Sequence, residues 1–355
     1  IKRYSLHPTL PFPGSGSNNF NTHRNSLMSK VLDTETELAC TLYDREAFLR
    51  LFYDPIEINV NQRSNIKLSI LQIQDGEFVL DQFYDLLVNS SLAYVLSRVD
   101  LEKTKNLPVQ QLGSVFEDIK SRFQKVNDTN AEGGEILLYA LLEAVLRAPK
   151  LLSKMELKTS NQMPIYGADG VHLLKVEEDQ YQLIFGESKL YGSLRRGLDS
   201  AFTSMDAISN RAFREDLSLV STQMMKEAVT EAQLDLLESI LLPHQNCNNP
   251  IKLTKTFGVL VGFDLDVSDV DISSLEDDEI EIEYKRLATN AVEAQIDFIN
   301  KKIDYYRFGA KPIHLFAVPF LKYKKAGKQR SIKDVRKEMQ FRLAVGKRES
   351  DAGAA

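Results

Sequence analysis

Residues 164–190 read PIYGADGVHLLKVEEDQYQLIFGESKL, two apolar runs separated by the four polar residues EEDQ. Apolar runs of this length around a short polar turn predict two antiparallel strands, over 164–176 and 181–190. A short strand is predicted before this hairpin, around 155–159, and a helix after it, from about 193 to 208. We therefore place the hairpin in the middle of a sheet and build the rest of the fold around it.

The segments on either side of the hairpin continue an α/β order. Upstream, GGEILLYALLEAVLRA predicts a helix that opens after the glycine pair 133–134 and stops before Pro149. Downstream come an apolar strand over 257–263, a helix over 282–304 and a last strand over 312–321. This order predicts an α/β fold with a mixed sheet flanked by helices.

The chain divides into four segments by composition. Residues 1–30 are rich in Ser, Asn, Pro and Gly and are expected to form a disordered leader. Residues 31–127 form an N-terminal α+β region with no chemical constellation, which is expected to pack against the next region or to bind a partner. Residues 128–325 hold the elements described above, and residues 326–355 form a basic C-terminal tail.

Composition excludes several classes of protein. Of the 355 residues, 43% are hydrophobic and 26% charged, which is typical of a globular chain, and no apolar run is long enough to span a membrane. No signal peptide is visible, and Cys40 and Cys247 cannot build a disulfide framework, so we expect a cytoplasmic protein. No phosphate-binding glycine loop or dinucleotide fingerprint is present, so we expect neither a nucleotide-driven motor nor a small-molecule cofactor.

The net charge of −6 conceals an uneven distribution. Residues 264–283 carry ten carboxylates and no Lys or Arg, and we interpret them as solvated surface. Residues 322–348 carry eleven Lys or Arg against two carboxylates, and the amphipathic stretch 332–345 within them is expected to contact DNA or a partner, or to be a frayed terminus. The candidate DNA contacts in this basic segment are Lys324, Lys325, Lys328 and Arg330.

Polar residues on consecutive predicted elements converge near the hairpin. Glu187 and Lys189 are two apart on one strand, so their side chains point to the same face. Asp169 lies on the preceding strand, where cross-strand pairing places its Cβ about 5 Å from that of Glu187. Glu135 lies in the first turn of the upstream helix and is expected to face the sheet. Three converging carboxylates repel each other unless a cation lies between them.

These residues predict a metal-dependent hydrolase. Mg²⁺ requires hard oxygen ligands, so Asp169, Glu187 and Glu135 are the predicted ligands of Mg²⁺, or of Mn²⁺ in its place. Lys189 supplies a cation beside them, suited to orienting a water or stabilising a phosphoryl transition state. We therefore expect Glu135, Asp169, Glu187 and Lys189 to be the catalytic residues of phosphodiester hydrolysis. Each alone also has a purely structural interpretation, as a surface ion pair, a helix-terminal charge or a turn residue.

Further candidates for contact with a polyanion follow Lys189 in the sequence: Tyr191, Arg195 and Arg196. Arg195 and Arg196 open the next predicted helix, where free backbone N–H groups favour phosphate. Tyr191 is placed to stack on a base or to donate a hydrogen bond nearby. The alternatives are solvated arginines on an exposed helix turn and a tyrosine at the edge of the core.

The same residues resemble the signature of the PD-(D/E)xK nuclease superfamily. The residues that carry the likeness are Glu135 in GGE, Asp169 in IYGADG, and Glu187 with Lys189 in FGESK. Over about residues 132–320, GGEILLYALLEAVL, YGADGVHLL and IFGESKLYGSL resemble the HamA-type effector of the Hachiman anti-phage system. Ala168 stands where the superfamily has Pro before its Asp.

The resemblance implies a fold, an activity and a partner. It implies a restriction-endonuclease-like core and a DNA endonuclease that acts with a HamB-type superfamily 2 helicase, which restrains and triggers it. The alternatives are a non-catalytic subunit of the same fold that binds DNA or the helicase, and a metal-dependent hydrolase of small phosphate esters. A deep closed pocket would favour the small-ester hydrolase, and an open basic groove would favour DNA.

Overall fold

The computed structural model describes most of the chain in seven stretches. They are residues 37–124, 131–157, 167–212, 224–242, 251–271, 275–325 and 328–346. The predicted leader, 1–30, lies outside these stretches, as do residues 164–166 at the start of the predicted hairpin.

Strands and helices alternate along the described residues. The strands are β1 (Ile56–Asn59), β2 (Ser64–Leu68), β3 (Ile73–Gln74), β4 (Glu77–Phe78), β5 (Lys150–Ser153), β6 (Gly170–Glu177), β7 (Gln180–Leu190), β8 (Lys252–Asp266), β9 (Ile313–Lys325) and β10 (Lys328–Arg330). The helices are α1 (Arg45–Arg50), α2 (Leu80–Val95), α3 (Arg98–Lys105), α4 (Val109–Gln124), α5 (Glu132–Leu146), α6 (Lys154–Leu157), α7 (Leu194–Ala212), α8 (Glu231–Leu241), α9 (Asp277–Glu293), α10 (Ile296–Tyr305) and α11 (Ile332–Ala344).

Eight of these strands form one mixed sheet in the order β1-β2-β9-β8-β7-β6-β5, with β10 paired to β9. Strands β7, β8, β9 and β2 run parallel to one another, whereas the β1–β2, β5–β6 and β6–β7 pairs are antiparallel. Helices cover the sheet, so the predicted mixed α/β fold is confirmed, and its arrangement is that of a restriction-endonuclease-like core. The N-terminal region packs against this core as expected, because β2 pairs with β9.

Alternation along β7 and β8 assigns the two faces of the sheet to different helices. On one face, Gly186 and its register partner Gly258 lie under α5, where an added Cβ at Gly258 would come within 2.9 Å of Leu142. On the other face, Val261 packs against Gly197 of α7. Residues 256–263 are all buried, as expected for a parallel strand covered on both faces.

Two predicted elements differ from those observed. Of the strand expected at 155–159, residues 155–157 belong instead to helix α6 and residues 158–159 lie outside the described stretches, and the strand that pairs with β6 is β5, immediately before α6. Residues 155–159 read MELKT, and an alternation this short does not distinguish a strand from a helical turn. The helix expected over 282–304 is interrupted at Ala294 and Gln295. Buried residues recur on both sides of that break, so the apolar pattern conceals it.

Helix α11 belongs to the core of this chain. The buried residues of its apolar stripe are Ile332, Val335, Met339 and Leu343. They pack against α2, α4 and α5, so this face is neither frayed nor available to DNA or a partner, which corrects the expectation for 332–345. Among the described residues, no helix is long and apolar enough to span a membrane.

The contact between α5 and α11 depends on a glycine. Helix α5 begins at Glu132, so Gly133 and Gly134 lie inside its first turn and not before it. A Cβ at Gly133 would lie 2.4 Å from Sδ and 2.8 Å from Cβ of Met339. The missing side chain therefore lets the two helices approach closely.

We predict that Gly133→Ala lowers the free energy of unfolding by about 1–3 kcal/mol, because the new methyl group forces α5 and α11 apart. Gly113→Ala on α4 is the matched control, since no atom lies within 4 Å of its added Cβ. That change is expected to raise stability by up to about 1 kcal/mol through helix propensity. Urea unfolding of both variants measures the difference, and equal effects would contradict a tight α5–α11 contact.

Candidate active site

The end of β7 carries the central pair of the candidate site. Nζ of Lys189 lies 2.5 Å from Oε1 of Glu187, so the two side chains share one face, as their spacing predicts. A hydrogen bond from Ser204 of α7 also reaches Glu187. Ser188, between them, points to the opposite face, toward Gly134 of α5. Strand alternation therefore places a carboxylate and an ammonium group together on the α7 side of the sheet.

Asp169 is fixed beside β7 at the start of β6. Its backbone N–H donates to the carbonyl of Gly186 at 2.9 Å, one residue before Glu187. Its Oδ2 accepts hydrogen bonds from the backbone N–H of Ser188 at 2.8 Å and from the Ser188 hydroxyl at 2.9 Å. The carboxylate is held by β7 itself, so its position follows from the pairing of the hairpin.

Glu135 reaches this cluster from the first turn of α5. Its Oε2 accepts a hydrogen bond from the hydroxyl of Tyr94 at 2.9 Å, and its Oε1 accepts one from Nζ of Lys154 at 2.8 Å. The same Lys154 Nζ donates to Oδ1 of Asp169 at 3.1 Å. The helix therefore faces the sheet here, as expected, and Lys154 joins Glu135 to Asp169.

Lys154, Tyr94 and Ser188 are site residues that sequence reasoning missed. Ser188 had a usable signal, because it lies between Glu187 and Lys189 and its N–H faces the strand that carries Asp169. Lys154 and Tyr94 had none, since they come from the chain after β5 and from α2, far from the motif in sequence.

Asp169 lies close to each of the other two buried carboxylates, and the pKa values of Glu135 and Glu187 reflect its charge. Burial, followed by the negative charge of Asp169, raises the pKa of Glu135 to about 7 and that of Glu187 to about 6. Lys154 and Lys189 act in the opposite direction on Glu135 and Glu187 respectively. Burial opposes a charged Lys154, yet the charges of Asp169 and Glu135 raise the pKa of its ammonium, which therefore stays protonated.

The donor set fits a hard divalent cation by its chemistry. Carboxylate oxygens are the ligands that Mg²⁺ prefers, and buried carboxylates that repel each other favour a cation among them. Within the stretches that the structure describes, no three acidic, His or Cys side chains are disposed to hold a metal ion. The cation between Glu135 and Asp169 is the ammonium of Lys154.

A cavity of about 330 Å³ adjoins Lys189 on the outer side of the cluster. Its lining residues are Ala131, Ser188, Lys189, Leu190, Tyr191 and Arg336. Tyr191 is exposed and its hydroxyl lies 3.3 Å from that of Ser200, while Arg336 of α11 donates to the carbonyl of Leu190 at 3.2 Å. Arg336 is thus a basic residue beside Lys189 that the sequence did not single out.

The two candidate arginines of α7 differ in their surroundings. The guanidinium of Arg195 lies over the ring of Phe298, with its central carbon 4.1 Å from the ring centroid. Arg196 is exposed in the first turn of α7. Both are exposed and lie just beyond the end of β7, on the side of the sheet where Lys189 emerges.

The basic residues of the β9–β10 hairpin lie away from the cluster. Lys189 is in register with Val261, which is in register with Ala317, and Lys324 lies seven residues further along β9. At about 3.3 Å per residue, Lys324 is on the order of 20 Å beyond the site. Lys325 and Lys328 are backbone register partners across the same hairpin.

Arg330, at the end of this hairpin, forms an ion pair with Glu77 at 3.0 Å. It borders a cavity of about 460 Å³ lined by two arginines and five carboxylates. This cavity lies among β4, α2 and α11 and shares no residue with the cluster around Lys189. Its acidic lining is an unfavourable surrounding for a phosphate.

The raised pKa of Glu135 makes stability depend on pH. Between its ordinary pKa of 4.5 and its folded-state pKa of about 7, the folded protein keeps a proton that the unfolded chain releases. The free energy of unfolding of the metal-free protein therefore falls as pH rises through this window.

We predict that Glu135→Gln removes most of this dependence, because Gln is neutral at every pH. At pH 8 in EDTA the variant should be more stable than the parent by on the order of 1–3 kcal/mol, and at pH 5 nearly equal to it. Chemical denaturation at the two pH values measures this, with exposed Glu178→Gln as control. A variant that is less stable at pH 8 would show that the ion pair with Lys154 outweighs the cost of burial.

Comparison with known protein families gives a match. The HamA family model matches residues 46–340, which include every strand of the described sheet and all of the cluster. No curated protein and no solved structure matches the chain.

Proposed function

The chain belongs to the HamA family, a family of the Hachiman anti-phage defence system, and on that premise we propose that it is a metal-dependent DNA endonuclease acting with a helicase. The observation that carries the proposal is the contact of Glu187 with Lys189 beside the buried carboxylates of Asp169 and Glu135. An acid and a lysine held together at the end of one strand, next to further acids, suit the hydrolysis of a phosphodiester.

In this proposal Asp169, Glu187 and Glu135 hold the divalent ion, Mg²⁺ or Mn²⁺. Such an ion supplies a Lewis acid and lowers the pKa of a bound water. The protein positions these ligands: Ser188 holds Asp169 through its N–H and hydroxyl, and Tyr94 holds Glu135 through its hydroxyl.

Lys189 is the proposed cationic residue of the reaction. Its ammonium lies at the border between the buried cluster and the cavity of about 330 Å³. From there it is placed to orient the attacking water or to stabilise the charge that develops on the phosphate oxygens. Hydrolysis adds water across one P–O bond and leaves a phosphate and a hydroxyl at the cut.

DNA is the proposed substrate because basic and aromatic side chains continue outward from Lys189. Arg336 and Tyr191 line the adjoining cavity, and exposed Arg196 follows at the start of α7. A site for small phosphate esters calls for a closed pocket around the phosphate, whereas Tyr191 is exposed at this one.

A helicase partner is proposed from the family, as a HamB-type superfamily 2 helicase that restrains the nuclease and releases it on DNA. The 355-residue sequence shows no phosphate-binding glycine loop, and a helicase partner would complement it by supplying the unwinding.

A non-catalytic subunit that binds DNA or the helicase is the second candidate. The observation in its favour is that Lys154 already bridges Glu135 and Asp169, as in a structural ion-pair network. A test of the proposal must therefore separate cutting from binding.

We predict that the protein nicks supercoiled plasmid with Mg²⁺, that EDTA stops this, and that Lys189→Ala reduces the rate at least about 100-fold. The matched control is Lys175→Ala, an exposed lysine on β6 paired with Glu37. Each reaction is run with and without the helicase partner. Cutting seen only with the partner would support the proposed restraint of the nuclease. Undiminished cutting by Lys189→Ala would contradict the assigned role, and DNA binding without cutting would favour the non-catalytic subunit.

We also predict that Arg196→Ala weakens DNA binding in EDTA and reduces the slope of log K against log salt by about one, as expected for a lost phosphate contact. A duplex that extends about 20 Å from the site covers roughly six base pairs, at 3.4 Å each, and reaches exposed Lys324. Lys324→Ala should therefore weaken binding as well.

Arg330→Ala, on the same hairpin as Lys324, is the matched control because Arg330 is already paired with Glu77. Fluorescence anisotropy over a salt series compares the three variants. Equal losses for Arg330→Ala and Lys324→Ala would show that binding depends on net charge and not on the proposed path.

A further inference from the structure

Lys154 is a cation built into the carboxylate cluster. Its Nζ lies 2.8 Å from Oε1 of Glu135 and 3.1 Å from Oδ1 of Asp169, and its backbone N–H donates to the carbonyl of Asp169 at 3.0 Å. The carboxylates are almost completely enclosed, whereas the side chain of Lys154 is 41% exposed. The lysine therefore reaches into the cluster from the surface of the molecule.

In the carboxylates of Glu135 and Asp169, one oxygen accepts hydrogen bonds from neutral donors and the other accepts one from the Lys154 ammonium. Oε2 of Glu135 is held by the Tyr94 hydroxyl, and Oδ2 of Asp169 by the N–H and hydroxyl of Ser188. The oxygens that face Lys154 are the remaining ones, Oε1 and Oδ1. If the ammonium leaves, neutral donors still hold both carboxylates in place, with one oxygen of each turned toward the same point.

The charges of the cluster limit how many cations it accepts. Three carboxylates face two ammonium groups, since Lys189 pairs with Glu187 and Lys154 with the other two acids. The net charge of the cluster is therefore one negative unit, and binding of a divalent ion would change it to one positive unit. Departure of Lys154 to solvent would make the cluster neutral, and an ammonium and a metal ion at one point repel each other.

We propose that Lys154 is a positioning residue that holds Glu135 and Asp169 as ligands in the metal-free protein and is displaced by the divalent ion, so that it sets the metal affinity. The inference rests on the proposed function, because it concerns the same metal site. It adds a residue that the sequence motif does not contain. Lys154 holds Oε1 of Glu135 and Oδ1 of Asp169 at one point until the ion arrives.

The first test compares Mn²⁺ binding to full-length variants by calorimetry. Lys154→Met removes the charge at similar length, Lys154→Arg keeps it, and Lys175→Met removes a remote surface charge as control. We expect Lys154→Met to bind Mn²⁺ on the order of tenfold more tightly than the parent, since a competing unit charge is gone. Lys154→Arg should bind no more tightly than the parent, and the control Lys175→Met should bind as tightly as the parent.

Asp169→Asn tests whether the measured Mn²⁺ binds at this site, since it should abolish the binding both in the parent and in Lys154→Met. Equal or weaker binding by Lys154→Met would overturn the proposal, because Lys154 would then be an ordinary ion pair or an aid to the metal. Melting curves add a second readout. Lys154→Met should melt lower than the parent in EDTA and gain more from Mn²⁺.

Labelling of lysines in the unaltered protein tests displacement directly and does not depend on a variant that folds. Acetylation measured by mass spectrometry should rise several-fold at Lys154 when Mn²⁺ is added, and should not change at Lys175. Unchanged labelling of Lys154 at saturating Mn²⁺ would overturn the proposal.

Failure of this inference and failure of the proposed function give different results. Plasmid cutting by the parent, with no gain in affinity from Lys154→Met, overturns the role of Lys154 and leaves the nuclease. Tighter binding by Lys154→Met without any cutting supports the role of Lys154 and contradicts the nuclease.

Discussion

The structure depends on keeping three carboxylates close together inside the protein. Asp169, Glu187 and Glu135 are all buried, and burial together with mutual repulsion raises the pKa of Glu135 and of Glu187. Such an arrangement costs folding free energy unless donors and cations surround it. The protein supplies them from Ser188, Tyr94 and two lysines, and this neighbourhood is the site from which we infer a hydrolytic function.

The architecture around the cluster serves to bring these donors to one place. The β6–β7 hairpin delivers Asp169 and Glu187, and glycines on β7 and β8 let α5 approach closely enough for Glu135 to join them. Helix α2, from the N-terminal region, contributes Tyr94 and packs on α5. The N-terminal region is therefore part of the site as well as part of the sheet, which also makes it more than a surface for a partner.

Local sequence predicts those parts of the site that depend on local geometry. Two-residue spacing on a strand is enough to place Glu187 with Lys189, a short turn is enough to place Asp169 opposite them, and the apolar stripe of a helix orients Glu135. The position of Lys154 depends instead on where the chain turns after β5, and the alternating residues MELKT that follow it resemble a strand. The apolar stripe of α11 is visible in sequence, but a stripe does not tell whether the covering surface belongs to the same chain.

The central claim is that these side chains together form a site for a divalent ion. Anomalous diffraction from crystals of the full chain grown with Mn²⁺ tests it most directly. We expect one strong peak about 2.1 Å from carboxylate oxygens of Asp169 and Glu187, with Nζ of Lys154 moved out of the cluster. A peak elsewhere, or no peak while Lys154 still bridges Glu135 and Asp169, would contradict it.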